Sequence, residues 1–308
     1  MPGDVSLEEH SSVPELSRRE MRDLWSLVHK VAVEVAGFLR DKFGLEDYTR
    51  IVLRHSYDGD ESLRVDVLSE KNIIDLLRAE GFNGYFLGEE HGLVKISEGP
   101  FIAVVDPLDG SRNYASLIPW CAVSIAIALM PENREPRLSD IIVGAVAPVH
   151  NWPVISFIRG QGVYEGSMRV QPKRPPAKMV LAYFEKTEQA RVVQRYMSLA
   201  PGRTLRSLGS ACLEIAWASL GRAEAFIDIH GRLRVVDIAA ALGIAAESGS
   251  TVIVENINAS LTRIERVGSV AIASSTESMN ILAKALKLEG CEHLLKNIFN
   301  KQLSRARD

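Results

Sequence analysis

Phe101-Ile102-Ala103-Val104-Val105-Asp106-Pro107-Leu108-Asp109-Gly110-Ser111-Arg112-Asn113 carries an apolar strand straight into two carboxylates three residues apart. Pro107 fixes one φ angle and withholds an N–H, and Gly110 permits backbone geometry that other residues resist, so the strand is expected to end in a rigid bend. Such a bend can aim both carboxylates and the Leu108 carbonyl at one point. Converging hard oxygen ligands suit Mg²⁺ or Mn²⁺, whereas zinc would call for His and Cys. The Gly110 and Ser111 amides are placed to hold a phosphate oxygen beside such ions. Asp, Pro and Gly also make ordinary surface turns, so this stretch alone leaves both readings open.

Two further segments tip the balance. Tyr85-Phe86-Leu87 leads into Gly88-Glu89-Glu90, a second apolar strand ending in acids. Leu233-Arg234-Val235-Val236-Asp237-Ile238-Ala239-Ala240 sets one Asp at the entrance to an Ala-rich helix. Three acidic strand or helix ends favour one shared site over three separate turns.

The chain of 308 residues, 46% hydrophobic, can bury a large core as one domain or two joined halves. A net charge of −3 gives no electrostatic reason to expect nucleic acid or a membrane. The partner expected at an acidic site is a small-molecule phosphate ester brought in with metal ions. The longest apolar run, Cys121 to Met130, is about half of the roughly 20 residues that a membrane helix needs. Residues 1–17 are polar and acidic and read as a flexible tail, not a signal peptide, which points to the cytoplasm. Cys121, Cys212 and Cys291 show no paired spacing and are expected as buried free thiols. Trp120, Trp152 and Trp217 are expected to fill core.

Apolar residues at helical spacing predict a first helix over Leu24 to Phe43 and a second over Glu70 to Ala79. Strands are expected at Tyr85 to Leu87 and Phe101 to Val105, then an antiparallel run at Cys121 to Leu129, Ile141 to Pro148, Val154 to Arg159 and Gly162 to Tyr164. Residues 18–172 thus read as an α+β half carrying most of the metal ligands. The rigid tract Pro172-Lys173-Arg174-Pro175-Pro176 marks a boundary. Beyond it, strands and helices alternate, so residues 177–308 read as an α/β half carrying the last metal ligand and substrate contacts.

The set G-E-E (88–90), D-P-L-D-G-S (106–111) and V-D-I-A-A (236–240), followed by Glu247-Ser248-Gly249, resembles the inositol monophosphatase superfamily of Mg²⁺-dependent sugar phosphatases from about Leu24 to the C-terminus. The spelling around Asp237 and the order Asp58-Gly59 then Arg64-Val65-Asp66 is most similar to the archaeal branch with both fructose-1,6-bisphosphatase and inositol-1-monophosphatase activity. That resemblance implies the layered αβαβα sugar-phosphatase sandwich, α+β passing into α/β, with the site at the seam. It also implies a homodimer.

The activity it implies is hydrolysis of fructose-1,6-bisphosphate, inositol-1-phosphate or both by metal-activated water. A 3′-phosphoadenosine 5′-phosphate or NADP(H) phosphatase is the alternative within the superfamily, and a non-catalytic sugar-phosphate sensor the alternative outside it. By resemblance, Glu89, Asp106 and the Leu108 carbonyl hold a first metal, and Asp106, Asp109 and Asp237 a second. Asp66 and Ser111 pair to orient and deprotonate the attacking water; Asp66 can also simply cap its helix. Glu90 is expected to point elsewhere, since side chains alternate in extended chain.

Substrate contacts are expected from Gly110, Ser111, Ser210 at a helix entrance, Arg206, Arg232 and Asp228, the last aligning with an acid that meets substrate hydroxyls. His55, His91 and His230 show no ligand spacing. In the loop Asp58-Gly59-Asp60-Glu61-Ser62 the chain departs from the Asp-Gly-Thr-Pro-Thr of its look-alikes. The extra carboxylates there are candidates for a third, loosely held Mg²⁺.

Overall fold

Ser17 starts the first helix. Its Oγ accepts from the Glu20 amide at 3.2 Å, while the Glu20 carboxylate accepts from the Ser17 amide at 2.8 Å. This reciprocal cap sets α1 at Arg18–Lys42, ahead of the apolar stripe from which the sequence reading began it. The computed structural model describes residues 16–53, 62–150 and 152–299. Most of the expected tail, His55, and the acidic loop up to Glu61 lie outside the described residues.

Chain order continues with β1 (Ile51–Leu53), β2 (Ser62–Leu63), α2 (Arg64–Ala79), β3 (Gly84–Gly88), β4 (Gly92–Lys95), β5 (Phe101–Asp109), α3 (Ser111–Ala115), β6 (Ala122–Leu129), β7 (Ile141–Pro148), β8 (Ile155–Ile158), β9 (Gly162–Glu165) and β10 (Met168–Val170). After Pro172 to Pro176 come β11 (Met179–Tyr183), α4 (Thr187–Leu199), β12 (Thr204–Arg206), α5 (Ala211–Ser219), β13 (Ala225–Asp228), α6 (Val235–Glu247), β14 (Thr251–Val254), β15 (Val270–Ala273) and α7 (Thr276–Leu288). The larger sheet has eight strands in the order β10-β9-β8-β7-β6-β5-β3-β4, and the smaller has five in the order β12-β11-β13-β15-β14. In the smaller sheet β11 runs parallel to β12 and β13, while β15 is antiparallel to its two neighbours.

Alternation along β6 shows how the layers form. Val123, Ile125 and Ile127 pack with α1 and α2 on one face, while Ala122, Ala126 and Ala128 meet α5 and α6 on the other. Branched side chains fill the outer layer, and alanines let the middle helices approach closely. Every residue of α6 from Val235 to Ala245 is buried, as expected for a helix apolar on all sides and enclosed between two sheets. The smaller sheet covers α5 and α6 with Leu181, Phe226 and Val252, and α4 and α7 close its far face around Tyr196 and Leu282. Five layers result, αβαβα, the architecture expected from the sequence.

Several local expectations shift. α2 begins at Arg64, so Asp66 lies in its first turn, and β5 runs on through Asp109 instead of stopping at Val105. β4, β10 and α3 were not legible in the sequence. Trp152 is 43% exposed, a correction to its expected place in the core. Its ring stands edge-on to Trp120 and Trp217, with the three centroids 5.1 to 5.4 Å apart. All three cysteines are free, but only Cys121 and Cys212 are fully buried; Cys291 is half-buried. No described helix is long and apolar enough to cross a membrane.

Candidate active site

β3 and β5 are parallel neighbours, with Gly88 opposite Val105. The residues that follow, Glu89 and Asp106, therefore leave the sheet side by side. In a straight strand Asp106 and Asp109 would face opposite ways. β5 instead pairs Asp106 with Ser124 and Asp109 with Ala122, so it spends an extra residue against β6. That bulge at Pro107-Leu108 turns both acids into one cavity of about 580 Å³. Across the seam, α6 supplies Asp237 from its first turn, where the helix dipole favours negative charge.

Glu89, Asp106 and Asp237 each present a carboxylate oxygen, and the three oxygens lie within 4.8 Å of one another. Asp109 and Leu108 line the same cavity. Burial drives the Asp106 carboxyl well above its usual range, and the neighbouring Asp109 adds to this. Burial also lifts Glu89 to about 7 and Asp109 to about 6. Three acids whose ionisation burial disfavours, all offering oxygen and none offering nitrogen or sulfur, fit a hard divalent cation that favours their charged form.

Arg234 sits among these acids. Its Nη1 donates to Glu89 Oε1 at 2.7 Å and its Nη2 to Asp237 Oδ1 at 2.9 Å, and its backbone amide also donates to Asp237 at 2.8 Å. Asp109 crosses the seam in the opposite direction: its Oδ2 accepts from Ser210 Oγ at 2.8 Å and from the Cys212 amide at 2.7 Å, capping the start of α5. Gly110, at φ 90°, has Gly209 O and Trp120 O within 3.0 Å of where a Cβ would stand, so a side chain here would prise the seam apart.

Asp66 and Ser111 line the cavity but are not hydrogen-bonded to each other. Asp66 Oδ2 accepts from the Leu63 amide at 2.9 Å, the capping role, while its buried Oδ1 has no hydrogen-bond partner among the described residues. Burial raises this carboxyl well above its ordinary value. Glu90 also lines the cavity, because it sits in a turn where strand alternation does not apply. Its Oε2 accepts from Ser62 Oγ at 2.7 Å.

The turn itself is held from below by Glu70, fully buried on α2, which the sequence reading missed. Glu70 accepts from the Glu90 amide at 2.8 Å and the His91 amide at 2.7 Å, and its Oε1 lies 2.9 Å from His91 Nδ1. Gly88 makes this possible, since a Cβ there would lie 2.6 Å from the Glu70 carboxyl carbon. The available signal was its position four residues after Asp66, which puts both acids on one helix face.

The expected substrate contacts separate into groups. Gly110, Ser111 and Arg232 line the cavity, while Ser210 is buried on Asp109. Arg206 is exposed outside the cavity lining, its Nη1 donating to Leu205 O. Asp228 is fully buried, accepts from the His230 amide at 3.0 Å, and leaves the lining position to His230. Glu214, also buried, accepts at one oxygen from Tyr183 Oη and from the Leu208 and Gly209 amides, so it fixes the turn that abuts Gly110.

Comparison with known proteins agrees with this geometry. The chain is 38% identical over 263 residues to an inositol-1-monophosphatase of Aeropyrum pernix, covering 82% of this chain and 93% of that one. It is 30% identical over 230 residues to a fructose-1,6-bisphosphatase/inositol-1-monophosphatase of Methanothermobacter thermautotrophicus, covering 72% and 81% respectively. A Pyrococcus horikoshii structure described as similar to inositol-1 monophosphatase superposes with a TM-score of 0.68 at 24% identity, covering 87% of this chain and 99% of that one, and supports the fold. With the inositol monophosphatase family model matching residues 21–289, the chain belongs to the inositol monophosphatase family of phosphate-ester hydrolases.

Proposed function

We propose that this chain is a Mg²⁺-dependent phosphomonoesterase, with Mn²⁺ as a possible substitute, acting on small sugar or polyol phosphates such as fructose-1,6-bisphosphate and inositol-1-phosphate. The observation that carries the reading is the convergence of Glu89 and Asp106, from the larger sheet, and Asp237, from α6, onto one point. Glu89, Asp106, Asp109, Asp237 and the Leu108 carbonyl would hold the metal ions. Ions bound there supply Lewis acidity, neutralising the phosphate oxygens and acidifying water.

The chain's own groups do the rest. The Gly110 and Ser111 amides and the Ser111 hydroxyl orient the phosphate and the attacking water. Asp66 takes the water's proton through its Oδ1, which has no hydrogen-bond partner among the described residues. The water oxygen ends on phosphorus as the ester P–O bond breaks, and the departing sugar oxygen takes up a proton from solvent and leaves as the alcohol. Asp109, tied to Ser210 and the Cys212 amide, keeps the halves in register around the phosphate. His230 and Arg232 face the space left for the sugar.

The test is phosphate release from a panel of fructose-1,6-bisphosphate, inositol-1-phosphate, 3′-phosphoadenosine 5′-phosphate and NADP, with Mg²⁺ and with chelator. Release of phosphate from the sugar esters only when Mg²⁺ is present is the expected result. Turnover that survives chelation, or none across the panel, would reject the reading.

A further inference from the structure

Arg112, Arg232 and Arg234 are the described arginines that line the cavity. Two of them are engaged. Arg234 is held by Glu89 and Asp237. Arg232 makes a two-point contact with Glu185, at 2.9 and 2.8 Å. Arg112 is exposed at the start of α3 and has no carboxylate in ion-pair distance among the described residues.

We propose that Arg112 binds a second anionic group on the substrate, so that the cavity selects phosphate esters that carry a further phosphate over singly phosphorylated ones. This rests on the phosphatase reading of the same cavity.

Asp66, Glu89, Glu90, Asp106, Asp109 and Asp237 make the reacting end strongly acidic, and cations bound there act only near that end. A phosphate at the far end of the substrate needs a cation of its own. Arg232 is poorly placed for this, because Glu185 would stay beside any phosphate that displaced it. Arg206, the other arginine expected from sequence to contact substrate, lies outside the cavity lining.

Arg112 follows Ser111 directly. A phosphate held at the Ser111 amide therefore lies about one side-chain length from a guanidinium that lines the same cavity. Guanidinium is also the group whose planar fork matches phosphate at two points, and among the described residues this one has no acid to give up first.

The test uses the full chain with Mg²⁺ and compares wild type with R112Q on fructose-1,6-bisphosphate and inositol-1-phosphate. The ratio of kcat/KM for the bisphosphate over the monophosphate is expected to fall about tenfold in the variant. Salt should raise the wild-type KM for the bisphosphate more steeply than that of R112Q. An unchanged ratio, or equal losses on both esters, overturns the proposal. If wild type turns over neither ester, the phosphatase reading fails separately. Calorimetric titration of both esters then decides the role of Arg112, which is refuted if R112Q binds the bisphosphate as tightly as wild type.

Discussion

Arg234, on the second half of the chain, donates to Glu89, on the first, at 2.7 Å while also gripping Asp237. One side chain thus bridges two carboxylates that would otherwise repel each other across the seam. Its own charge, opposed by burial, is held by those acids. Breaking a buried pair by removing one partner typically costs about 3 kcal/mol, because the other charge stays behind.

Arg234→Gln is therefore expected to destabilise the metal-free protein by roughly 2–4 kcal/mol, and added Mg²⁺ or Mn²⁺ to restore more stability to the variant than it gives the wild type. Thermal melts with and without the ion check this. An equal metal-induced rise in Tm for both proteins would show that Arg234 does not share the acids with the cation.

Asp109→Asn separates structure from chemistry. The amide oxygen can still accept from Ser210 and the Cys212 amide, so the seam keeps its link and the loss of stability is expected to stay within about 1 kcal/mol. The anionic charge facing the cavity is gone. Phosphate release should fall by roughly a thousandfold or more. A variant that keeps near-wild-type turnover would remove Asp109 from the metal-binding set.

Much of this site can be read in the sequence. The periods of β6, α1 and α6 are consequences of burial, so they are written into the residues, and the acids at the ends of β3, β5 and α6 follow from where those elements stop. Long-range geometry was less accessible. The extra residue in β5 that brings Asp109 onto the same side as Asp106 depends on pairing with β6. Glu90 was misplaced because alternation was extended into a turn. Trp152 was assigned to the core on residue type, although its position beside Trp120 and Trp217 leaves it partly outside. Asp228 and Arg206 occupy plausible positions in the chain, and only the packing shows which of their neighbours faces the cavity.

Glu70→Gln tests whether the support beneath the turn matters to the metal. Glutamine retains one acceptor oxygen where the carboxylate has two, so one of the Glu90 and His91 amides loses its partner and Glu89 loses its fixed bearing. Metal affinity, measured by calorimetry on the folded variant, is expected to drop about tenfold, the usual cost of disturbing groups that orient metal ligands. A role limited to packing would lower Tm and leave the affinity unchanged.

Burial holds Glu89 at about 7, Asp109 at about 6 and Glu214 at about 8. Unfolded carboxyls titrate near 4 (about 3.9–4.3). Between those limits these three groups bind more protons in the folded protein than in the unfolded chain, so the metal-free stability that depends on them is fully present below about pH 4 and is lost as pH rises through about 6 to 8. Metal ions need the deprotonated acids, and their uptake must expel whatever protons Glu89, Asp106 and Asp109 still hold. Calorimetry in buffers of different ionisation enthalpy should count more protons released per Mg²⁺ at about pH 5.5 than at about pH 8.5, with affinity rising over the same interval. A proton count that stays flat across that range would mean the acids are already ionised in the empty site, and the cation would then meet a cluster held together by Arg234 alone.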